Sequence, residues 1–210
     1  MQNENMSEAE LYHILQTQFG FTSFRPGQLE ALIALITHGR LLCIQPTGHG
    51  KSLLYQLPAA LLPGIVLVIS PLIALMRDQL GQLHKRFNIL AASINSDQTD
   101  EENSASRFAA MNAQVKILFV APEQLDHVDR FNYLLNLPVS LVVVDEAHCI
   151  STWGHDFRPS YRQIIYLVKA LHLKNTTLKI LALTATANAK AEQDIKQQLT
   201  VGEKTGTDPS

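Results

Sequence analysis

The stretch PVSLVVVDEAHCISTWGHDFRPSY, residues 138–161, decides the fold of this chain. Residues 141–144 within it are an unbroken aliphatic run, which is the pattern of a strand buried on both faces of a parallel sheet. Two carboxylates, Asp145 and Glu146, follow directly. Ligands of open α/β sheets bind at the carboxyl ends of the strands, so these acids are predicted to serve chemistry rather than packing. The polar and aromatic residues 153–158 are predicted to form a loop that contacts a ligand.

Short apolar runs alternate with longer amphipathic stretches along the whole chain. Strand candidates lie at 41–45, 65–70, 89–94, 115–120, 141–144 and 178–183, and helix candidates at 7–17, 26–38, 50–61, 72–86, 99–112, 123–136, 159–172 and 188–199. This order predicts an α/β fold with a mainly parallel, doubly wound sheet and helices on both of its faces. Residues 1–6 are predicted to be disordered, 7–200 to form one domain, and 201–210 to be a polar linker or a truncated end.

Composition restricts the class of protein. The 210 residues are 46% hydrophobic and carry a formal charge of -2, which fits a soluble globular protein. This charge neither supports nor excludes a nucleic-acid partner, because a phosphate-binding track needs only local clusters of Lys and Arg. The two cysteines, Cys43 and Cys149, form no C-x-x-C pair, and no apolar run approaches the roughly 18 residues of a membrane span. We therefore expect a cytoplasmic protein that does not insert into a membrane.

The stretch PTGHGKS, residues 46–52, follows the first predicted strand and opens a helix. Gly48 and Gly50 allow the backbone to curl so that its amides point at a phosphate group. Lys51 supplies a positive charge for the phosphates, and Ser52 supplies a hydroxyl for Mg²⁺. The stretch therefore predicts ATP and Mg²⁺ as cofactors. The alternative is a glycine turn that only caps a helix.

The acids at the end of the fifth predicted strand complete this prediction. Asp145 is the candidate metal ligand beside Ser52, and Glu146 is placed to orient or deprotonate the attacking water. His148 follows and is a candidate to couple the nucleotide site to a neighbouring surface. With Lys51 these three residues form the predicted catalytic set. The alternatives are a solvated helix cap for the acids and a hydrogen-bonded, half-buried histidine for His148.

Taken together, PTGHGKS, DEAH followed by CIS, and WGHDFRPSY resemble the RecQ family of superfamily 2 DNA helicases, specifically the first of its two RecA-like motor domains. The stretches FRPGQ (24–28), SPLIALMRDQ (70–79), APE (121–123) and TATA (184–187) appear in the order of that family's motifs. The resemblance implies a RecA-like P-loop NTPase fold. It also implies an ATP-driven motor that moves 3′ to 5′ on single-stranded DNA and unwinds duplex DNA in repair and recombination, in the bacterial cytoplasm or nucleoid.

The resemblance also implies a role for each matching residue. The nucleotide-binding set is Phe21, Arg25, Gln28, Thr47, Gly48, His49, Gly50, Lys51 and Ser52. The set that senses DNA and couples it to hydrolysis is Trp153, His155, Asp156, Phe157, Arg158, Thr184 and Thr186, and the DNA-binding set is Ser70 and Arg77. Chemistry agrees, because an amide such as that of Gln28 can pair with adenine and aromatic faces stack on bases. The alternatives are a packed loop at 153–161, a solvated helix charge for Arg77 and helix capping by Thr186.

The chain departs from the family's pattern in sequence and in length. His49 stands where the family usually has glycine, and Ser160 where an acidic residue is common. A second RecA-like domain with an arginine finger does not fit within 210 residues, so we expect a monomeric fragment that binds nucleotide weakly and does not unwind DNA alone. Two alternatives are an RNA helicase of the DEAH type and a non-catalytic nucleotide-binding or nucleic-acid-binding module.

Overall fold

The computed structural model describes residues 6–46 and 50–200. The predictions made for residues 1–5, for Thr47, Gly48 and His49, and for residues 201–210 lie outside the described residues. Of the N-terminal segment predicted to be disordered, the structure describes Met6, which packs against one of the two core clusters.

The strands of the described residues form one parallel sheet. They are β1 (Arg40–Ile44), β2 (Ile65–Ile69), β3 (Ala91–Ile94), β4 (Ile117–Val120), β5 (Val139–Val144) and β6 (Lys179–Thr184). Their spatial order is β1-β6-β5-β2-β4-β3, and every neighbouring pair is parallel. The parallel sheet is therefore confirmed, and each observed strand overlaps its predicted position.

The helices of the described residues connect these strands. They are α1 (Glu8–Thr17), α2 (Gln28–His38), α3 (Leu53–Leu61), α4 (Ile73–Phe87), α5 (Asp100–Met111), α6 (Val128–Leu135), α7 (Tyr161–Lys174) and α8 (Ala189–Leu199). The prediction of one helix over 123–136 is wrong, because a 3₁₀ turn, Pro122–Asp126, precedes α6. The two are separated at His127, whose extended backbone (φ -96°, ψ 123°) interrupts the helical path. None of the described helices has the length and apolar character needed to cross a bilayer.

Alternate residues of the strands pack on opposite sides of the sheet, as the two-residue period of a strand requires. In β5, Val142 belongs to the core cluster that also contains Leu167 of α7. Its neighbour Leu141 belongs to the other cluster, which contains Leu32 of α2. Both faces of the sheet are thus covered by helices, as predicted, and the strands are buried on both sides.

The carboxyl ends of the four strands β1, β6, β5 and β2 lie side by side at one edge of the sheet. Gln45 follows β1, Thr184 ends β6, Asp145 follows β5 and Ser70 follows β2. Backbone hydrogen bonds continue one step past the strands, from Asp145 N to the carbonyl of Ile69 and from Gln45 N to that of Thr184. This edge therefore brings the end of β6 between the start of the phosphate loop and the DEAH acids.

Candidate active site

The carboxylate of Asp145 is held by groups from two neighbouring elements. The hydroxyl of Ser70 donates to Asp145 Oδ2 at 2.9 Å, and the backbone N–H of Glu146 donates to Oδ1 at 3.0 Å. The hydroxyl of Tyr161, which is fully buried, donates to the backbone carbonyl of Asp145 at 2.9 Å. Ser70, a candidate DNA contact, is 3% exposed and lies directly against the acid. The position of this carboxylate is therefore fixed from both β2 and α7.

Glu146 has a left-handed backbone conformation, with φ 52° and ψ 44°. Residues with a Cβ rarely adopt this conformation, which costs about 1–2 kcal/mol, and such strain is concentrated at functional sites. The turn leads directly from β5 into a 3₁₀ turn at Ala147–Ile150. As a result Glu146 and His148 lie on the same side of the chain, with 3.5 Å between Glu146 Oε2 and His148 Nδ1.

His148 joins three separate segments. Its Nδ1 lies 2.8 Å from the hydroxyl oxygen of Thr184, and its Nε2 lies 3.4 Å from Asp156 Oδ2. The Thr184 hydroxyl donates its single proton to the carbonyl of Thr186, at 3.0 Å, so it accepts a hydrogen bond from Nδ1–H of His148. The hydrogen bond connects the DEAH segment to the end of β6, and the 3.4 Å approach of Nε2 to Asp156 brings it beside the loop after Ile150.

Trp153 is the most exposed aromatic side chain of the predicted sensor loop, with 60% of its surface accessible. Lys190 of α8 lies over its ring, 4.8 Å from the centroid, and Asn188 donates from Nδ2 to the carbonyl of Trp153. Asn188, rather than Thr186, caps α8, since its side chain accepts from Ala191 N. The loop is thus attached to α8. Lys190 covers one face of the indole, and 60% of the residue's surface stays accessible to a ligand.

The remaining sensor residues pack back towards the DEAH segment. His155 stacks on His148 with ring centroids 5.9 Å apart, and the backbone N–H of Arg158 donates to the carbonyl of Cys149 at 3.0 Å. Phe157 lies under the guanidinium of Arg162, which is 5.5 Å from the ring centroid. Burial raises the pKa of the Cys149 thiol to about 11, with a smaller contribution from nearby Asp156.

A cavity of about 240 Å³ lies between the start of α2, the start of α3 and the end of α4. Phe21, Arg25 and Gln28 line it together with Gly50 and Ser52, so the structure brings these predicted nucleotide-binding residues to one place. Gln28 Oε1 accepts from Arg25 N at 2.8 Å, and Nε2 donates to the carbonyl of Gly50 at 2.9 Å. Within residues 6–46 and 50–200, these two bonds leave one N–H and one lone pair of the amide.

Three further residues of this cavity come from α4 and were missed by the sequence analysis. They are Gln82, Arg86 and Phe87. The guanidinium of Arg86 lies 5.2 Å from the centroid of the Phe87 ring, and this ring is 6.1 Å from that of Phe21. Gln82 and Arg86 are four residues apart, which places both on one face of α4. The same spacing occurs on a helix face that lines a ligand cavity and on one that only faces solvent. The sequence alone therefore contained no signal that separates the two cases.

Lys51 and Ser52 form the turn that opens α3. The backbone N–H of Leu54 donates to the carbonyl of Lys51, and Gln56 N donates to that of Ser52. Lys51 lies close enough to Cys43 of β1 for its charge to oppose the effect of burial, which raises the pKa of that thiol to about 11. The two residues thus follow the end of β1, as the phosphate-loop pattern predicts.

Arg77, the second candidate DNA contact, lies on α4. Its side chain is 73% exposed and is 3.9 Å from Asp97 Oδ2. An exposed pair at this distance contributes about 0–1 kcal/mol, so Arg77 is available to a ligand at little cost.

Comparison with known proteins agrees with this geometry. Residues 25–195 match the profile of a family described as DEAD/DEAH box helicase. The chain belongs to the DEAD/DEAH box helicase family. Within this family it is 46% identical over 188 residues to "ATP-dependent DNA helicase RecQ" of Bacillus subtilis (strain 168), over 89% of this chain and 31% of that protein. It is also 38% identical over 198 residues to "RecQ-like DNA helicase BLM" of Xenopus laevis, over 90% of this chain and 14% of that protein.

These helicase relatives confirm the predicted resemblance to the RecQ family. The chain spans less than a third of the length of the B. subtilis relative. Among solved structures, "DUF1998 helicase MrfA bound to DNA" matches with a TM-score of 0.71 and 18% identity, over 99% of this chain and 30% of that one. "Mycobacterium smegmatis helicase Lhr bound to ssDNA and AMP-PNP" matches with a TM-score of 0.66 and 21% identity, over 93% and 26%. At these identities the likeness shows the fold, which is the predicted RecA-like helicase fold.

Proposed function

We propose that this chain is the ATP-binding motor domain of a 3′ to 5′ DNA helicase, with residues 7–200 forming the domain. The hydrogen bond of His148 to Thr184, together with the 3.4 Å approach of its Nε2 to Asp156, is the observation that carries the proposal. They join the DEAH acids to the predicted sensor loop, so a strand bound at the loop can act on the groups that hydrolyse ATP. An RNA helicase is not favoured, because relatives that are 42–46% identical to this chain are named as DNA helicases.

Adenine recognition is assigned to the cavity between α2, α3 and α4. The remaining N–H and lone pair of Gln28 match the donor and acceptor at the edge of adenine. Phe21 and Arg25 line the same cavity and supply a stacking face and a cation. The phosphates would then extend towards Gly50, Lys51 and the segment 47–49, which lies outside the described residues.

The oxygen donors near the phosphate loop fit Mg²⁺. Ser52 precedes α3 and, among the described residues, makes no side-chain capping bond, so its hydroxyl is free for a metal. The carboxylate of Asp145 has lone pairs left beyond its bonds to Ser70 and to the backbone. Magnesium prefers such hard oxygen ligands and, when bound, neutralises charge on the phosphate oxygens. Ser52 and Asp145 would hold it.

The remaining roles follow from position. Lys51 binds the phosphates as a point charge, and Glu146 orients or deprotonates the attacking water. His148 is held by Thr184 and lies beside Glu146, so it is proposed to transmit a change at Asp156 to that carboxylate. Trp153, with its open face, would stack on a base of single-stranded DNA. The part of the sensor loop that carries Trp153 is supported by His155, Phe157 and Arg158.

The test compares Thr184→Val with Thr186→Val in the purified chain. Thr184 contributes its hydroxyl to His148, whereas Thr186 contributes its backbone carbonyl, which the valine variant keeps. The affinity for a fluorescent ATP analogue is measured with and without a single-stranded DNA oligonucleotide. Coupling between two ligand sites typically changes affinity by about 5–150-fold.

We expect Thr184→Val to abolish the effect of DNA on nucleotide affinity. Thr186→Val should keep the effect, because the coupling role predicted for Thr186 is here assigned to its backbone carbonyl and not to its hydroxyl. Coupling that survives in Thr184→Val would overturn the assigned route. An RNA oligonucleotide of the same sequence tests the substrate class, and Lys51→Ala should weaken nucleotide binding without changing DNA binding. A second RecA-like domain as partner and a monomeric, cytoplasmic protein stay predictions from the resemblance, and light scattering tests the oligomeric state.

A further inference from the structure

Three potential metal ligands meet where the 3₁₀ turn after β5 contacts the sensor loop. A ring nitrogen of His148, the thiol of Cys149 and a carboxylate oxygen of Asp156 all lie within 4.8 Å of one another. His148 Nε2 is 3.4 Å from Asp156 Oδ2, and Cys149 Sγ is 3.8 Å from the same oxygen. The three donors lie close together although they come from two segments of chain.

The distances in this cluster suit a shared cation better than direct hydrogen bonds. A histidine N–H that donates to a carboxylate normally does so at about 2.7–2.9 Å, well below the observed 3.4 Å. Tetrahedral zinc with ordinary bond lengths separates its ligands by about 3.4 Å for nitrogen and oxygen and about 3.6 Å for sulfur and oxygen. The observed separations, 3.4 and 3.8 Å, are close to these values. The third pair, His148 nitrogen and Cys149 sulfur, lies within 4.8 Å and would close towards about 3.6 Å when a metal binds.

The surroundings of the cluster also suit a metal. The Nδ1–H of His148 donates to Thr184, which orients the ring and leaves Nε2 directed at the cluster, as the outer hydrogen bond of a metal-binding histidine does. Cys149 is fully buried, whereas the side chain of Asp156 is 48% exposed. An ion can therefore enter beside Asp156 once the half-exposed guanidinium of Arg158, 3.9 Å from the same carboxylate oxygen, turns towards solvent. A water can then complete a fourth position. A donor set of nitrogen, sulfur and oxygen favours zinc over magnesium.

We propose that His148, Cys149 and Asp156 form a binding site for Zn²⁺ that is separate from the magnesium site assigned to Ser52 and Asp145. Zinc binds the neutral imidazole through Nε2, the carboxylate through Oδ2 and the thiolate, and the thiol proton passes to solvent. The bound ion fixes Asp156 of the sensor loop to the residue that lies beside Glu146. Zinc at this site would therefore hold the sensor loop in place and reduce the effect of DNA binding on the nucleotide site.

The experiment uses Co²⁺ as a spectroscopic substitute for Zn²⁺ on the tag-free chain after chelator treatment. We expect one equivalent to bind, with a thiolate-to-cobalt charge-transfer band that stoichiometric Zn²⁺ removes. Cys149→Ser should lose the band and bind zinc at least about tenfold more weakly. Cys43→Ser is the matched control, because Cys43 is the other buried cysteine and lies on β1, and it should keep both the band and the affinity.

Asp156→Asn provides a second variant in case Cys149→Ser does not fold, since the Asp156 side chain is half exposed. We expect it to weaken zinc binding at least about tenfold as well. Cobalt that binds without a charge-transfer band, or a band that is lost in Cys43→Ser rather than Cys149→Ser, would overturn the site. Zinc binding is measured without nucleotide or DNA. A chain that does not bind zinc would therefore leave the proposed helicase function untouched, and a chain without helicase function would leave the proposed zinc site untouched.

Discussion

Replacing Gly50 by alanine tests whether this glycine, which directly precedes Lys51, holds the side chain of Gln28 in position for a nucleotide. Gly50 has φ +72°, and an added methyl group would lie 2.6 Å from Gln28 Nε2 and 3.5 Å from Arg25 Cδ. The Gln28 amide is the end of a flexible side chain, so it moves before the backbone does. The movement breaks its 2.9 Å bond to the Gly50 carbonyl and takes the amide away from the cavity.

The expected loss of stability has two parts. A left-handed conformation costs a residue with a Cβ about 1–2 kcal/mol, and the lost hydrogen bond contributes about 0.5–1.5 kcal/mol. Gly39→Ala is a matched control, because Gly39 has φ +75° and nothing lies within 4 Å of its added methyl group. Gly39→Ala should therefore lose only the stability that the left-handed conformation costs. The free energy of unfolding should therefore fall by about 1.5–3.5 kcal/mol in Gly50→Ala and about 1–2 kcal/mol in Gly39→Ala.

Urea unfolding measures these differences, and titration with a fluorescent ATP analogue measures the effect on binding. We expect Gly50→Ala to lose about tenfold or more in nucleotide affinity, since one misplaced amide hydrogen bond in a closed site is worth about 1.4 kcal/mol or more. Gly39→Ala should bind as the unchanged chain does. Equal affinity in the two variants would show that Gln28 does not hold the nucleotide through this position.

Three further predictions concern stability. Tyr161→Phe should lower the free energy of unfolding by about 1–3 kcal/mol, because the buried carbonyl of Asp145 loses its donor; chemical denaturation measures this. Gly64→Ala should lower the free energy of unfolding by about 2–5 kcal/mol. Gly64 has φ +73°, and its added methyl group would clash with the backbone carbonyl of Pro138. A loss of stability below about 1 kcal/mol would contradict that packing. The pKa of Cys43 is raised in the folded state from 9.0 to about 11, so its stabilisation is complete below pH 9 and is lost as the pH rises towards 11. The difference in unfolding free energy between the unchanged chain and Cys43→Ala should therefore shrink by about 1.3 kcal/mol from pH 8 to pH 10, and a constant difference would refute it.

The sequence predicted the strands and the acids because both follow from local pattern. Strands such as β5 are aliphatic runs without alternation, which only burial on both faces explains, and Asp145 follows at once. The capping box of Ser7 and Glu10 was also predictable, and the structure confirms both of its hydrogen bonds. In each case the signal lies within a few residues of the feature.

Features that depend on distant residues were not predictable. Hydrophobic periodicity does not determine the order of the strands in the sheet. The position of β6 between β1 and β5 therefore could not be predicted, and neither could the hydrogen bond between His148 and Thr184. The break at His127 was missed because the polar and apolar spacing continues across it, although the backbone does not. Arg86 lines the proposed nucleotide cavity only because the fold brings the end of α4 beside the start of α3.

The strand order also has a consequence for synthesis of the chain on the ribosome. Within the described sheet β1 is an edge strand whose one neighbour is β6, with Arg40 paired to Ile180. Among the described strands, the one that leads into the phosphate loop is therefore translated first and finds its partner last. Until β6 emerges, β1 presents an open apolar edge to other nascent chains, a condition that favours aggregation and recruitment of chaperones. A ribosome stalled before Lys179 would carry a chain with every residue of the phosphate loop and without the strand needed to hold it.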